Sequence, residues 1–225
     1  MRIIASLTSW NKRIDSAVQT VKSFLAQDHD NFGVELNLDF QQFPNKYKDL
    51  PDELVELEMT DNRFDIFWRD TDLKVWQKLY PTIWRHVGQR YILVTGDDDI
   101  TYPTTYFKEI EENMKDADWL CTNHDVYTQG QAMAYSFNAI DKFLRHVDMD
   151  FMMNVPLDDH GLFWIMQKYH LKRGKKIEHG FEDRDVGYSF RRFWFKDDPS
   201  NIKHGDYPRE QFIRERTYME KRGIL

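Results

Sequence analysis

The stretch from Tyr91 to Pro103, Tyr-Ile-Leu-Val-Thr-Gly-Asp-Asp-Asp-Ile-Thr-Tyr-Pro, constrains this chain more than any other. Its first residues form a short apolar, β-rich run, the pattern of a buried strand. Gly96 breaks the run, and Asp97, Asp98 and Asp99 follow directly. Open α/β sheets build their ligand sites where strands deliver side chains at their carboxyl ends. Three adjacent carboxylates repel one another, so the folded state has to compensate them. A hard divalent cation would do so, because carboxylate oxygens suit Mg²⁺, Mn²⁺ or Ca²⁺. A solvated acidic turn is the plainer account. The apolar strand ahead of the acids, and Pro103 placed for the first turn of a helix behind them, weigh against it.

The rest of the chain supplies a setting for such a strand. Arg2 to Leu7 reads as a first strand, followed by the polar loop Thr8 to Arg13. Ile14, Val18, Val21 and Leu25 recur at helical spacing, giving an amphipathic helix that ends near Gln27. Val34, Leu36 and Leu38 alternate as a second strand closing at Asp39, and Phe64 to Trp68 reads as a third. Pro44 and Pro51 mark the segment between them as loop, with at most a short helix. Val75 to His86 has a helical pattern whose regular part begins at Pro81, since proline suits a first turn and not an interior. Tyr106, Ile110 and Met114 share one helix face, and Trp119 to Thr122 is a further strand. This alternation predicts an α/β fold with a mainly parallel sheet covered on both faces. Beyond it the pattern loosens into helices over Phe137 to His146, His160 to His170 and Pro208 to Arg222.

The totals bound the function classes. A chain of 225 residues with 41% hydrophobic content suits one ordered domain, with no repeat or evident linker. The net charge of −7 argues against a general nucleic-acid coat. Its placement is uneven: Lys168 to Arg222 carries 15 Lys and Arg against 10 Asp and Glu, a net of +5, leaving −12 for the remainder. That basic quarter is either a solvated helical face or a contact for phosphates or an anionic acceptor. Cys121 is the single cysteine, which points to a reducing compartment. No run approaches the ~18 apolar residues of a membrane helix. The expectation is a soluble protein of a bacterial or phage-infected host cytosol.

One ordered set of motifs carries a resemblance. Ser6-Leu7-Thr8-Ser9-Trp10 with Lys12-Arg13, Gln42-Phe43-Pro44, Trp76-Gln77-Lys78-Leu79-Tyr80-Pro81 and Gly96-Asp97-Asp98-Asp99-Ile100 with Tyr102-Pro103 occur in that order. The set resembles small bacterial and phage-type GT-A glycosyltransferases, which pair a Rossmann-like nucleotide-sugar-binding sheet with a DxD motif. It spans roughly Met1 to Thr122. The resemblance implies a nucleotide-sugar-binding half over residues 1–125 and a less regular acceptor half with a terminal helix over 126–225. It further implies Mn²⁺ or Mg²⁺ as cofactor and a nucleotide-sugar donor, UDP-linked in the first instance. The acceptor would be a glycan, a protein or a modified DNA base.

Site residues follow partly from chemistry and partly from that resemblance. Transfer from a nucleoside diphosphate sugar leaves a diphosphate whose charge grows in the transition state, and a metal neutralises it as a Lewis acid. Asp97 and Asp99 are two apart, so extended backbone would point both the same way. The resemblance puts Asp97 on the ribose or metal side and Asp99 on the metal. Asp98 is then turned towards the core or backbone groups, or adds to the donor site. The same resemblance brings Thr8, Ser9 and Trp10 to the nucleotide base. Lys12, Arg13 and Lys78 are either phosphate contacts or solvated cations. Asp39 binds base or ribose, or is an ordinary turn residue. Inverting enzymes of this class use a carboxylate base downstream of the DxD. Asp158 or Asp159 fits that place, although Asp159 also suits a helix N-cap, and Glu182, Asp183 and Asp185 compete for the role. His204 is the leading third metal ligand, with His179 and His124 behind it. A metal-dependent phosphohydrolase and a non-catalytic nucleotide- or sugar-binding module remain as alternatives. The first would want ligands spread over several strand ends, and the second lacks EF-hand spacing.

Overall fold

The computed structural model describes residues 1–122, 132–177 and 209–225, the side chains of Arg209 and Phe212 excepted. Six strands form one sheet: β1 (Arg2–Thr8), β2 (Phe32–Asp39), β3 (Phe64–Arg69), β4 (Tyr91–Gly96), β5 (Trp119–Cys121) and β6 (Ala132–Tyr135), in the order β3-β2-β1-β4-β6-β5. The first four pair in parallel, with Ala5 of β1 set between Val34 of β2 and Val94 of β4. β6 runs antiparallel to both β4 and β5. The strand order reverses direction between β1 and β4, and at such a switch point the loops leaving the strands part to form a crevice.

Strand alternation sorts the core into two layers. Ile3, Ala5 and Leu7 face one side, where they pack with α1 (Ile14–Leu25), α2 (Asp52–Thr60) and α4 (Tyr106–Asn113). Ile4, Tyr91 and Leu93 face the other, with α3 (Tyr80–Arg85), α5 (Phe137–Leu144), α6 (Met149–Asn154), α7 (Asp158–Lys168) and α8 (Arg209–Lys221). The helical spacing of Ile14, Val18, Val21 and Leu25 is the buried face of α1. Among the described residues no helix is long and apolar enough to cross a membrane.

Several details depart from the sequence expectations. The proline-bounded segment holds the nine-residue helix α2, started by Pro51 as its N-cap and buried through Leu54. Lys74–Lys78 is a 3-10 turn rather than part of the helix, while α3 begins as expected with Pro81 in its first turn. Pro103 lies ahead of α4 rather than inside it, accepting a backbone bond from Tyr106 N–H at 3.0 Å. β6 carries no strand signature in its Ala-Met-Ala-Tyr sequence. It becomes a strand because β4 and β5 supply hydrogen-bonding partners on both sides. α6 is capped by Asp148, whose Oδ1 accepts from Phe151 N–H at 2.8 Å.

Candidate active site

The acidic turn is held from below by α1. Thr20 Oγ1 donates to the Ile100 carbonyl at 2.7 Å, and Ser23 Oγ accepts from Tyr102 N–H at 3.1 Å. Gln27 closes the clamp by donating to the Pro103 carbonyl at 2.7 Å and accepting from Phe107 N–H at 2.9 Å. Phe24 stacks on Tyr102 with centroids 4.4 Å apart. At Gly96 a side chain would displace its neighbours, because a Cβ would stand 2.8 Å from Phe24 Cζ and 3.0 Å from the Tyr102 hydroxyl. That hydroxyl also accepts from Asp97 N–H at 3.1 Å. Tyr102 thus fixes the first acid from behind, a role its place in the motif gave no hint of.

β4 ends at Gly96, and Asp98 and Asp99 occupy a turn. The extended alternation expected for the three acids therefore stops before it reaches them. Asp97 and Asp99 do not share one partner; they are met by two different cations. Lys78 Nζ lies 3.3 Å from Asp97 Oδ1 and 3.7 Å from Asp158 Oδ2. Arg13 Nη2 lies 2.5 Å from Asp98 Oδ1 and 2.9 Å from Asp99 Oδ2. Asp98 is buried, and its second oxygen accepts from Ser9 Oγ at 2.5 Å. Side chains of the β1–α1 loop hold it, and a backbone N–H of the acidic turn adds to them.

Burial sets the electrostatics. It pushes Asp99 up to about 6 against the pull of Arg13, with Asp97 and Asp98 adding to the rise. Burial likewise raises Asp98, opposed by the Arg13 guanidinium and the Ser9 hydroxyl. Asp158 is pushed up to about 6 by burial, against the pull of Lys78. For Lys78, burial acts to lower the ammonium, but Asp158, Asp97 and Asp159 outweigh it and hold it above the ordinary lysine range.

Asp158 and Asp159 open α7, so neither is its N-cap; Leu157 holds that position. Asp159 instead accepts from His160 N–H at 2.9 Å. Both acids lie where the helix dipole favours negative charge. Asp158 reaches the Lys78 end of the cluster, while His160 Nδ1 stands 3.5 Å from the buried Glu215 of α8. Burial lowers His160, but Glu215, Asp159 and Asp158 outweigh it and raise it overall.

The remaining expected residues sit around this network. Thr8 ends β1 and donates through Oγ1 to the Asn37 carbonyl at 2.8 Å. Trp10 carries the Lys12 ammonium 5.2 Å from its ring centroid. Asp39 ends β2, buried, with Oδ1 accepting from Gln41 N–H at 3.0 Å and Gln42 N–H at 2.9 Å, which makes it a turn former as well. Burial raises its carboxyl, and Asp72, which sequence reading did not single out, adds to the rise. His124, His179, Glu182, Asp183, Asp185 and His204 lie outside the described residues.

Whether a divalent cation fits can be judged from the donors. Among the described residues no three His, Cys, Asp or Glu side chains converge as a complete protein ligand set. Asp97 and Asp99 provide two hard oxygen donors at the mouth of the switch point. Mg²⁺-type sites use one or two carboxylates and complete their shell with phosphates and water. Two carboxylates are as many as such a site draws from its protein.

No protein-family model matches the chain, and no curated protein matches it. Solved structures do. The mannosyltransferase PcManGT from Pyrobaculum calidifontis, in complex with GDP-Man and Mn²⁺, superposes with a TM-score of 0.62 at 11% identity, covering 79% of this chain and 56% of that one. S. aureus TarS 1-349 in complex with UDP gives 0.55 at 10% identity, covering 80% and 61%. The 4-diphosphocytidyl-2C-methyl-D-erythritol synthase from Anaerococcus prevotii gives 0.50 at 13% identity, covering 97% and 98%. The chain thus spans less than two thirds of the first two proteins and nearly all of the third. What these likenesses establish is the fold, a GT-A-type, Rossmann-like sheet with its helices on both faces.

Proposed function

We propose that this chain is a metal-dependent glycosyltransferase that moves a sugar from a nucleoside diphosphate sugar, UDP-linked in the first instance, to an acceptor hydroxyl. The observation that carries the reading is a local charge imbalance at the switch point. Asp97, Asp98, Asp99 and Asp158 are four carboxylates met by two cations, Arg13 and Lys78, a formal −2 within these pairs, and Asp159 adds to the excess. A divalent cation offsets most of that excess, and a diphosphate completes the cation's shell. Two of the fold's neighbours are complexes with UDP and with GDP-Man and Mn²⁺.

In this reading Asp97 and Asp99 hold Mn²⁺ or Mg²⁺, which when bound offsets the charge growing on the departing diphosphate. Thr8, Trp10 and Asp39 line the crevice for the nucleoside. Asp98 binds no substrate and keeps the β1–α1 loop on the acidic turn through Ser9 and Arg13. Asp158 is the base: its carboxyl, near 6, is ionised at neutral pH yet basic enough to take the acceptor proton. Lys78 holds Asp158 beside the donor end. Asp159 and, outside the described residues, His204 contribute to acceptor and metal contacts. The acceptor is a glycan, a protein or a modified DNA base, the last supported by the basic C-terminal quarter.

A second reading is nucleotidyl transfer, favoured by the near-complete coverage of the Anaerococcus synthase. One experiment separates the two. The protein is incubated with Mn²⁺ and a panel of nucleotide sugars, and separately with nucleoside triphosphates and sugar phosphates. Release of free nucleoside diphosphate, with stabilisation by the same nucleotide sugar, supports glycosyl transfer. Release of pyrophosphate from a triphosphate would instead assign nucleotidyl transfer.

A further inference from the structure

Arg13 holds the place that a metal's charge would take. Its Nη2 stands between Asp98 Oδ1 at 2.5 Å and Asp99 Oδ2 at 2.9 Å, while Asp98 is already engaged by Ser9. Asp99 thus has its charge compensated by the chain itself. A cation arriving alone at Asp97 and Asp99 has to compete with a resident guanidinium. A cation arriving with a diphosphate does not, because phosphate oxygens offer the guanidinium an equally good bidentate partner.

We infer that Arg13 is a resident counter-cation which the metal and a nucleoside diphosphate displace from Asp99 together, so that the two ligands bind as a coupled pair. The inference rests on the metal-dependent donor site proposed above and adds how that site is loaded. Asp98 is the hinge of the exchange. It anchors Arg13 when Asp99 is released, so the guanidinium turns towards the diphosphate without leaving the loop. Coupling of this kind is reciprocal: the nucleotide tightens the metal by the same factor as the metal tightens the nucleotide.

The test measures Mn²⁺ affinity by the loss of free-ion EPR signal, with and without UDP and, in parallel, GDP. It uses the wild type, Arg13→Met and the double variant Arg13→Met/Asp98→Asn. The double variant removes the buried charge that Arg13 serves and leaves the local net charge as in the wild type. Both variants are expected to bind Mn²⁺ alone more tightly and to lose about tenfold of the metal–nucleotide coupling. Tightening in the single variant but not in the charge-neutral double variant would show a general field effect and overturn the exchange. Unchanged coupling in either variant would do the same. A wild-type reading is independent of variant folding: the Arg13 side-chain NMR signal stays in place with Mg²⁺ alone and moves with Mg²⁺ and UDP or GDP together. A signal unmoved by the pair overturns the inference. If the wild type binds neither Mn²⁺ nor either nucleotide, it is the donor-site proposal that fails instead.

Discussion

Lys78 and Asp158, eighty residues apart in the chain, meet with Nζ 3.7 Å from Oδ2, while the same ammonium lies 3.3 Å from Asp97. One side chain therefore ties the acid at the carboxyl end of β4 to the first turn of α7. Removing a partner from a buried ion pair leaves the other charge uncompensated, at a cost of roughly 3–5 kcal/mol. Lys78→Met should lower kcat by about 10²-fold or more and lower the melting temperature, with Lys78→Arg recovering part of both. Steady-state kinetics and thermal denaturation check this together.

With Asp158 as the proposed base, Asp158→Asn should lower kcat by about 10²–10⁴-fold. In the wild type, kcat/KM should rise with pH through an apparent value near 6 as Asp158 ionises. The stability effect has the opposite sign. A carboxyl raised from 3.8 to about 6 in the folded state favours the protonated form there. Its contribution is fully present below pH ~4 and is lost as pH rises through ~6. The difference in unfolding free energy between Asp158→Asn and wild type should therefore shift in favour of the variant between those limits. A denaturant titration series across pH 4–7 measures it.

Asp97→Asn and Asp99→Asn should each weaken Mn²⁺ binding in the presence of nucleotide, by about 10-fold or more for loss of a charged ligand. Asp98→Asn should weaken it less than either, and only through Arg13, which the variant leaves to Asp99 alone, because the Asp98 oxygens face Ser9 and Arg13. Calorimetry with Mn²⁺ and UDP distinguishes the three. Equal losses at Asp98 and Asp99 would sink the division of roles.

Gly96→Ala places a Cβ 2.8 Å from Phe24 Cζ. Overpacking of this kind costs about 1–3 kcal/mol. Because Tyr102 is pushed with Phe24, and Tyr102 holds Asp97 N–H, activity should fall further than stability alone explains. Comparing kcat well below the melting temperature with the melting temperature itself tests that separation.

Away from the site, Glu35 lies buried on β2, where its carboxylate accepts from Thr82 Oγ1 at 2.7 Å and from Arg85, with His86 Nε2 at 2.5 Å. Burial acts to raise Glu35, but His86 and Arg85 outweigh it and lower it overall. A lowered carboxyl contributes stability that is present above its unfolded value of 4.5 and lost as pH falls through the folded one. Glu35→Gln should destabilise the protein by roughly 1–3 kcal/mol at pH 7, less at low pH, as followed by urea denaturation.

The local pattern was enough to place β1 to β4, the buried face of α1 and the acids that follow β4. Each is written in hydrophobic period, glycine and proline over a handful of adjacent residues, and local sterics decide those. The choice between Asp158 and Asp159 was not legible. Both suit the start of a helix, and only the packing of α7 against the Lys74–Lys78 turn buries Asp158 beside Lys78. The partners of the acidic triplet were equally hidden. Extended alternation would pair Asp97 with Asp99, yet the strand stops at Gly96 and the turn hands Asp98 and Asp99 to the same arginine. β6 was invisible because its four residues gain strand structure from neighbours distant in sequence. Tyr91 to Pro103 by itself thus determined that a buried strand would present carboxylates at its carboxyl end. Which charges meet them, and which acid stands opposite, was decided by tertiary contacts, because Coulomb energy depends on distances that only the folded chain sets.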